Sequence, residues 1–472
     1  MRRMGHPLFP VGLLSLVGVW ACGDPATHQS EVDAGPDTVV VVSGLAVDVS
    51  PRNSLAYYVA WSTDLPLATE LTVDCGPDYR QTFGDAETRL RHEVFVMGLI
   101  DGLACTFTVH PSRAAVTGTL SETVGRVGDL PDTLPDLTVD VVDASAMEPG
   151  WTLFSVANAS VSSDMVVVAI DPQGRYRWYH SVGSHYPGAG AELELTGYGL
   201  VIGNAMERSQ IASWEGEVLW MIDHPAHHDL RISPFNDDHV LTLGSSGVGC
   251  DQYEDTAIEL DMSSMQVVWE WRICEWWTPR VSYLAWSHLN TIEPFPDERA
   301  VLVSSRQQDA LFKVNRDTGD LEWVLGMDGD FAMDPAYHFL RQHAPEIQPD
   351  GTILVLDNGL GEDETALDGH TAREYTRVLQ FALTFHADAT PDRADVVWEY
   401  TDESIFALNR SEADRLPGGN TLIHYCWVQP DKHVVLREVT LAGEIVWNVR
   451  TPGNVSSYRS ERISPYFGHL VE

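Results

Sequence analysis

From Val39 onward, apolar and polar positions alternate in short runs separated by turn residues, and helical periodicity is nearly absent. Runs such as "AYYVAWS", "ELTVDC", "RHEVFVMGL" and "CTFTVHP" put residues of opposite polarity on opposite faces, as a half-buried strand requires. Their close spacing predicts a small β-sandwich over residues 39–135. The Pro/Asp-rich "GDLPDTLPDL" closes this unit, and residues 136–150 read as a linker. Beyond Gly150 a loose repeat begins. Six segments end in a strand centred on Trp178, Trp220, Trp269, Trp323, Trp398 and Trp447. Units of about 40–50 residues, each with several strands and one recurring aromatic, are blades that cannot bury their faces alone. The prediction is an all-β chain whose residues 151–472 form a six-bladed β-propeller. The long Trp323–Trp398 interval is one blade with an insertion at 360–374, and the tail "SYRSERISPYFGHL" docks on the first blade to close the ring.

Aligning the units by their tryptophans exposes a second regularity. The first hairpins of three successive units read "HHDLRISPFNDDHVLTLG", "HLNTIEPFPDERAVLVSSR" and "HAPEIQPDGTILVLDNG". His228, His288 and His343 therefore open the innermost strands, which converge at one mouth of a propeller. The returning strand is antiparallel, so Arg306 comes back beside His288. Asn290, two residues beyond His288, shares that hairpin, and His424 and Asp357 end the equivalent returning strands. Alternation along a strand turns His227 away from His228. Asp229 and Glu346 are at hand for a metal, but alternation also points Asp229 away and Arg306 disfavours a cation. An oxyanion suits the set better, since a planar guanidinium fork matches a tetrahedral anion and imidazoles add donors. One unprotonated imidazole can itself attack. No cofactor or metal ion is called for. "DGDFAMD" at Asp328–Asp334 reads as an acidic solvated loop rather than a calcium site.

Charge narrows the partners. Acidic residues outnumber basic ones 69 to 29, a net charge of -40, which repels phosphate backbones and argues against nucleic acid. Arg2 and Arg3 precede "PLFPVGLLSLVGVWAC", of signal-peptide length, so residues 1–22 read as an export signal. The run ends at Cys22, where a lipid would tie a periplasmic or cell-surface lipoprotein to a membrane. Residues 23–38 form a polar tether. An exported chain can hold disulfides, and the expected pairs are Cys75–Cys105 and Cys250–Cys274, with Cys426 reduced. The chain can act as a monomer or a homodimer.

Two resemblances sharpen these expectations. "VMGLIDGLACTFTV" resembles the late strands of a fibronectin type III domain. The hairpins "HHD", "HLNTIEPFPDERAVLVSSRQQDALFKVNRDTGDLEWVLG" and "RQHAPEIQPDGTILVLDNG", with "RLPGGNTLI", resemble the bacterial aryl-sulfate sulfotransferase family over residues 39–472. That resemblance implies an exported six-bladed propeller with a small N-terminal β-domain, acting without a nucleotide sulfate donor. It implies His343 as the nucleophile that becomes a transient sulfohistidine. His228, His288 and Arg306 would hold the sulfuryl oxygens, with Asn290 as supporting amide. An aryl sulfate and a phenol would be donor and acceptor. The family commonly has an acidic residue after the nucleophilic histidine, where Ala344 stands here. Ala344 favours the alternative of a non-catalytic propeller that captures sulfated or phenolic ligands. A quinoprotein dehydrogenase fits poorly, since eight repeats and a vicinal disulfide are lacking.

Overall fold

The computed structural model describes residues 41–111, 120–162, 164–184, 191–197, 199–204, 209–246, 254–278, 286–360 and 373–471. The strand Ala300–Ser305 shows how the larger unit is built. Its sequence AVLVSS is apolar without alternation, because both faces of its sheet are covered. Val301 and Val303 pack with Leu241, Leu243 and Trp271 of the preceding blade. Leu302 faces the other way, towards Ile353, Val355 and Phe381 of the following one. Similar apolar slabs join the second blade to the third and the fifth to the sixth. The core is thus a set of wedges between blades.

Six small sheets form the predicted ring. From inside outwards, the third blade is Ala226–Ile232, His239–Ser246, Glu254–Asp261 and Val267–Arg272. The fourth is Leu289–Pro294, Ala300–Ser305, Ala310–Asn315 and Leu321–Gly326. The fifth runs from His343–Ile347 to Pro391–Thr401, with Ala332–Met333 added to its outer edge. Residues 361–372, most of its expected insertion, lie outside the described residues. The sixth runs from Glu412–Arg415 to Ile445–Arg450, and Thr138–Val142 forms its outermost strand. Part of the expected linker is therefore a blade strand. The tail closes the ring as expected: Ser460–Ile463 pairs with Trp151–Asn158 and supplies the innermost strand of the first blade.

The six tryptophans lie on the outermost strands of their blades, apart from the strands added to the fifth and the sixth. Trp178, Trp220, Trp398 and Trp447 donate their indole N–H to Trp214, Met262, Leu441 and Pro172 carbonyls, at 2.8, 2.8, 2.9 and 2.8 Å. Each acceptor sits in the last turn of the next blade, and the Trp447 bond joins the sixth blade to the first. These residues fasten blades together as well as filling space.

The N-terminal unit differs from the expected sandwich. Its five strands and the tail strand Gly468–Leu470 pair into one six-stranded sheet rather than two facing ones. Asn53–Asp74, a strand of 22 residues, is the cause. Its first part pairs with Val42–Ser50 and its second with Cys105–Pro111, while Arg80–Val96 follows both. A register shift between Ser62 and Leu67 lets one strand serve both ends. Cys75 and Cys105 are bonded as predicted, and buried Cys426 is free. Cys274 is disulfide-bonded, whereas its expected partner Cys250 lies outside the described residues, as does Cys22.

Candidate active site

All three histidine-bearing inner strands are irregular at the same end. In the third blade pairing stops at His227↔Leu243 and resumes at Leu230↔Thr242, so His228 and Asp229 bulge out. The fourth shifts at Asn290, and the fifth between His343 and Glu346. His228, His288 and Ala344 adopt φ of 64°, 37° and 42°, in the left-handed region that residues with a Cβ rarely occupy. Such backbone persists where the surroundings over-determine it, commonly at functional sites. Here it re-aims imidazoles towards the propeller axis.

The Arg306 N–H donates to the His288 carbonyl at 3.0 Å, so the hairpin holds these two residues together as predicted. The His228 and His288 rings lie 5.3 Å apart between centroids. Tyr458 sits between the histidines, 6.0 Å from the His228 ring and 6.4 Å from that of His343. His228 and His343 therefore meet around one aromatic side chain, with His288 packed beside His228. Asn290 is fully buried and donates through Nδ2 to the Gln342 carbonyl at 2.8 Å. It ties the fourth blade to the residue just before His343. Asp357 lies aside, its carboxylate receiving the Leu340 N–H at 2.9 Å and pairing with Arg377 at 2.9 Å. His424 is buried in the sixth blade.

The expectation that His227 turns away is incorrect. The bulge cancels strand alternation, and the Nδ1 atoms of His227 and His228 are 2.7 Å apart. His227 Nε2 lies 3.3 Å from Asp255, whose carboxylate also accepts the Leu289 N–H at 2.9 Å. Tyr458 and Arg459 also belong to the site: the Tyr458 hydroxyl and Arg459 Nη2 donate to the Asn290 carbonyl at 3.3 and 2.8 Å. The sequence repeat hides both, because the first blade takes its inner strand from the far end of the chain. Their signal was position in the closing tail.

His343 is 2 % exposed. Its Nδ1 lies 2.7 Å from Asn358 Oδ1 and 3.0 Å from the Arg341 carbonyl. Both partners only accept, so Nδ1 carries the proton and Nε2 keeps a lone pair. The Arg410 backbone N–H points at that Nε2 from 3.3 Å.

Electrostatics keep the imidazoles neutral. Burial, then the Arg306 charge, pushes His288 down to about 3. Burial and Arg306 also hold His343 well below its ordinary value; His288 and Arg459 add to this, and only the Asn358 hydrogen bond opposes it. His228 is held low by burial, His227, His288, His343 and Arg459. A cluster of neutral nitrogen donors with arginines close by suits an anion. Among the described residues, no group of three His, Cys, Asp or Glu has the arrangement to hold a metal.

The family model for arylsulfotransferase (ASST) matches residues 138–459, more than half of the chain and every residue of the site. The chain belongs to the arylsulfotransferase family. The match and the outer strand of the sixth blade begin together at Thr138. No curated protein matches the chain. Solved structures are similar only remotely. A luciferin-regenerating enzyme is 9% identical, covering 70% of this chain and 100% of that one with a TM-score of 0.35. The dihydro-heme d1 dehydrogenase NirN is 10% identical, covering 69% and 79% with a TM-score of 0.33. A glucose dehydrogenase is 9% identical, covering 56% and 96% with a TM-score of 0.28. A sulfotransferase acts on small aryl substrates, and the mouth described above is where this arylsulfotransferase gathers its polar side chains.

Proposed function

We propose that this arylsulfotransferase is exported and moves a sulfuryl group from an aryl sulfate to a phenol in two steps, without a nucleotide donor. The observation that carries the reading is buried His343, with a protonated Nδ1 and an unprotonated Nε2 whose lone pair accepts, among the described residues, only the 3.3 Å Arg410 N–H in the resting structure. In the first step Nε2 attacks sulfur, and the S–O bond to the ring breaks as the phenolate departs with its electron pair. In the second, the acceptor phenol oxygen attacks sulfur, the N–S bond electrons return to Nε2, and the phenol proton is released. Negative charge on the equatorial oxygens is met by Arg306, His228 and His288, while Asn290 keeps the blades in register. One such donor contributes roughly 3–4 kcal/mol in comparable oxyanion sites. Export by residues 1–22, with a lipid on Cys22, follows from the basic and apolar N-terminal pattern.

Ala344 motivates the competing reading of a binding propeller. It loses weight because Asn358 and the Arg341 carbonyl already orient the imidazole. One experiment separates the two: release of 4-nitrophenol from 4-nitrophenyl sulfate, with and without added phenol, and analysis of the His343 peptide for acid-labile, base-stable sulfate. Turnover with a labelled His343 peptide is expected. Turnover without that label sinks the sulfohistidine; tight binding without turnover favours the binding module.

A further inference from the structure

We infer that Asn358 is a positioning residue that fixes the His343 imidazole and the Arg410 backbone N–H relative to each other across the boundary between the fifth and sixth blades. This rests on His343 as the nucleophile, and it names the group that does the work expected of a carboxylate at position 344. Asn358 follows the strand Ile353–Asp357 and is fully buried. Its Nδ2 donates to the Ala407 and Arg410 carbonyls at 2.8 and 3.1 Å. Its Oδ1 therefore has to face His343 Nδ1, 2.7 Å away. A flipped amide would turn its oxygen on two carbonyls and its NH₂ on the proton of Nδ1, so only one orientation is satisfied. The backbone is equally constrained. The Asn358 carbonyl accepts from Thr376 Oγ1 at 3.1 Å, and that hydroxyl also receives the Ala407 N–H at 2.8 Å. Gly359 turns the chain at φ 81°, where a Cβ would lie 2.3 Å from the Arg373 carbonyl.

One side chain thus holds both the imidazole and the 407–410 loop whose Arg410 N–H approaches Nε2 from 3.3 Å. As Nε2 bonds to sulfur while Nδ1 keeps its proton, positive charge grows on the ring. The hydrogen bond to Oδ1 strengthens as it does, so its contribution appears in the transition state more than in donor binding. Ala344, buried at φ 42° beside the bulge, needs no polar side chain for this.

The test uses the full-length protein with Asn358→Leu and Asn358→Asp. Asn358→Leu removes the acceptor and both donors at similar volume. The expected result is kcat lower by about 10- to 100-fold, as for other partners that orient a functional imidazole, with KM for 4-nitrophenyl sulfate nearly unchanged. In Asn358→Asp a carboxylate faces Nδ1, so the His343 pKa and the acid limb of the rate profile should move to higher pH. Long-range ¹H–¹⁵N spectra of ¹⁵N-histidine protein read that pKa in the resting state, with His343→Gln to assign the signal. The resting-state pKa is read even if no aryl sulfate is turned over, so loss of the sulfotransferase reading and loss of the positioning role are separable. Should Asn358→Leu fail to fold, Asn358→Asp decides the matter. A folded variant with wild-type kcat and an unmoved His343 pKa overturns the inference.

Discussion

At the scale of single residues, the proposed mechanism separates bond making from charge stabilisation. His343→Ala should abolish both 4-nitrophenol release and covalent labelling, because it removes the Nε2 that forms the bond to sulfur in the proposed reaction. Arg306→Ala should leave labelling detectable but slower by about 10²–10³-fold, the usual effect of losing one oxyanion donor. Arg306→Lys should recover only part of that, since a point charge cannot reproduce a planar fork. The pH dependence has a defined sign. His343 lies well below its ordinary 6.5, held there by burial and then Arg306, so the free protein already carries an unprotonated imidazole at that pH. The acid limb of kcat/KM should appear below 6.5, with rate falling only as pH drops through the depressed value. A limb above it would mean that the imidazole is solvated in the working state.

At the scale of elements, the inter-blade tryptophan bonds make a measurable claim. Trp447→Phe keeps most of the buried ring but loses the 2.8 Å bond to Pro172, and should cost about 1 kcal/mol. Trp447→Ala also empties a fully buried site and should cost about 3–5 kcal/mol, read as a lower Tm. The repeat that located Trp447 was legible because packing imposes one aromatic per blade. The same repeat brought out His228, His288, His343 and Arg306, since equivalent positions converge on one axis. It could not bring out His227, because a bulge reverses the face and leaves no mark in the hydrophobic pattern. Tyr458, Arg459 and Asn358 escaped for another reason: each acts through partners distant in sequence, Asn290 at a separation of 168 and 169 residues and Arg410 at 52. The N-terminal unit was read as strands correctly, but alternation alone does not say whether strands pair into one sheet or two.

For the whole molecule, the axis below the site is the notable electrostatic feature. Glu192, Asp229, Glu293, Glu346, Glu412 and Glu461 come from six different inner strands, and Arg231 and Arg459 stand among them. Burial first, then neighbouring carboxylates, lifts Glu461 to about 8. Burial likewise lifts Glu293 to about 7, although Arg231 opposes it. The folded protein therefore keeps protons that the unfolded chain releases near 4.5, so stability falls as pH rises from there through about 7 to 8. The buried histidines act in the opposite sense, and their contribution is complete only about one pH unit above their unfolded value of 6.5. Denaturant midpoints at about pH 7.5 and about pH 9, above the histidine range, isolate the carboxyl effect. The midpoint should be lower at the higher pH, and an equal or higher one would mean that the axis is hydrated and ionised.

The closing strand Ser460–Ile463 carries a consequence for how the molecule comes into being. Tyr458 and Arg459 precede it, and Gly468–Leu470 beyond it adds to the N-terminal sheet. A nascent chain that has already made His343 still has neither a closed ring nor an assembled mouth. The ring closes only when residues 455–470 pair with the first blade and the N-terminal sheet. A chain ending at Asn454 should therefore contain the nucleophile yet show no turnover, and adding a synthetic 455–472 peptide should restore it in proportion to peptide bound. Residues 455–470 thus tie assembly of the site to the meeting of two parts of the chain far apart in sequence.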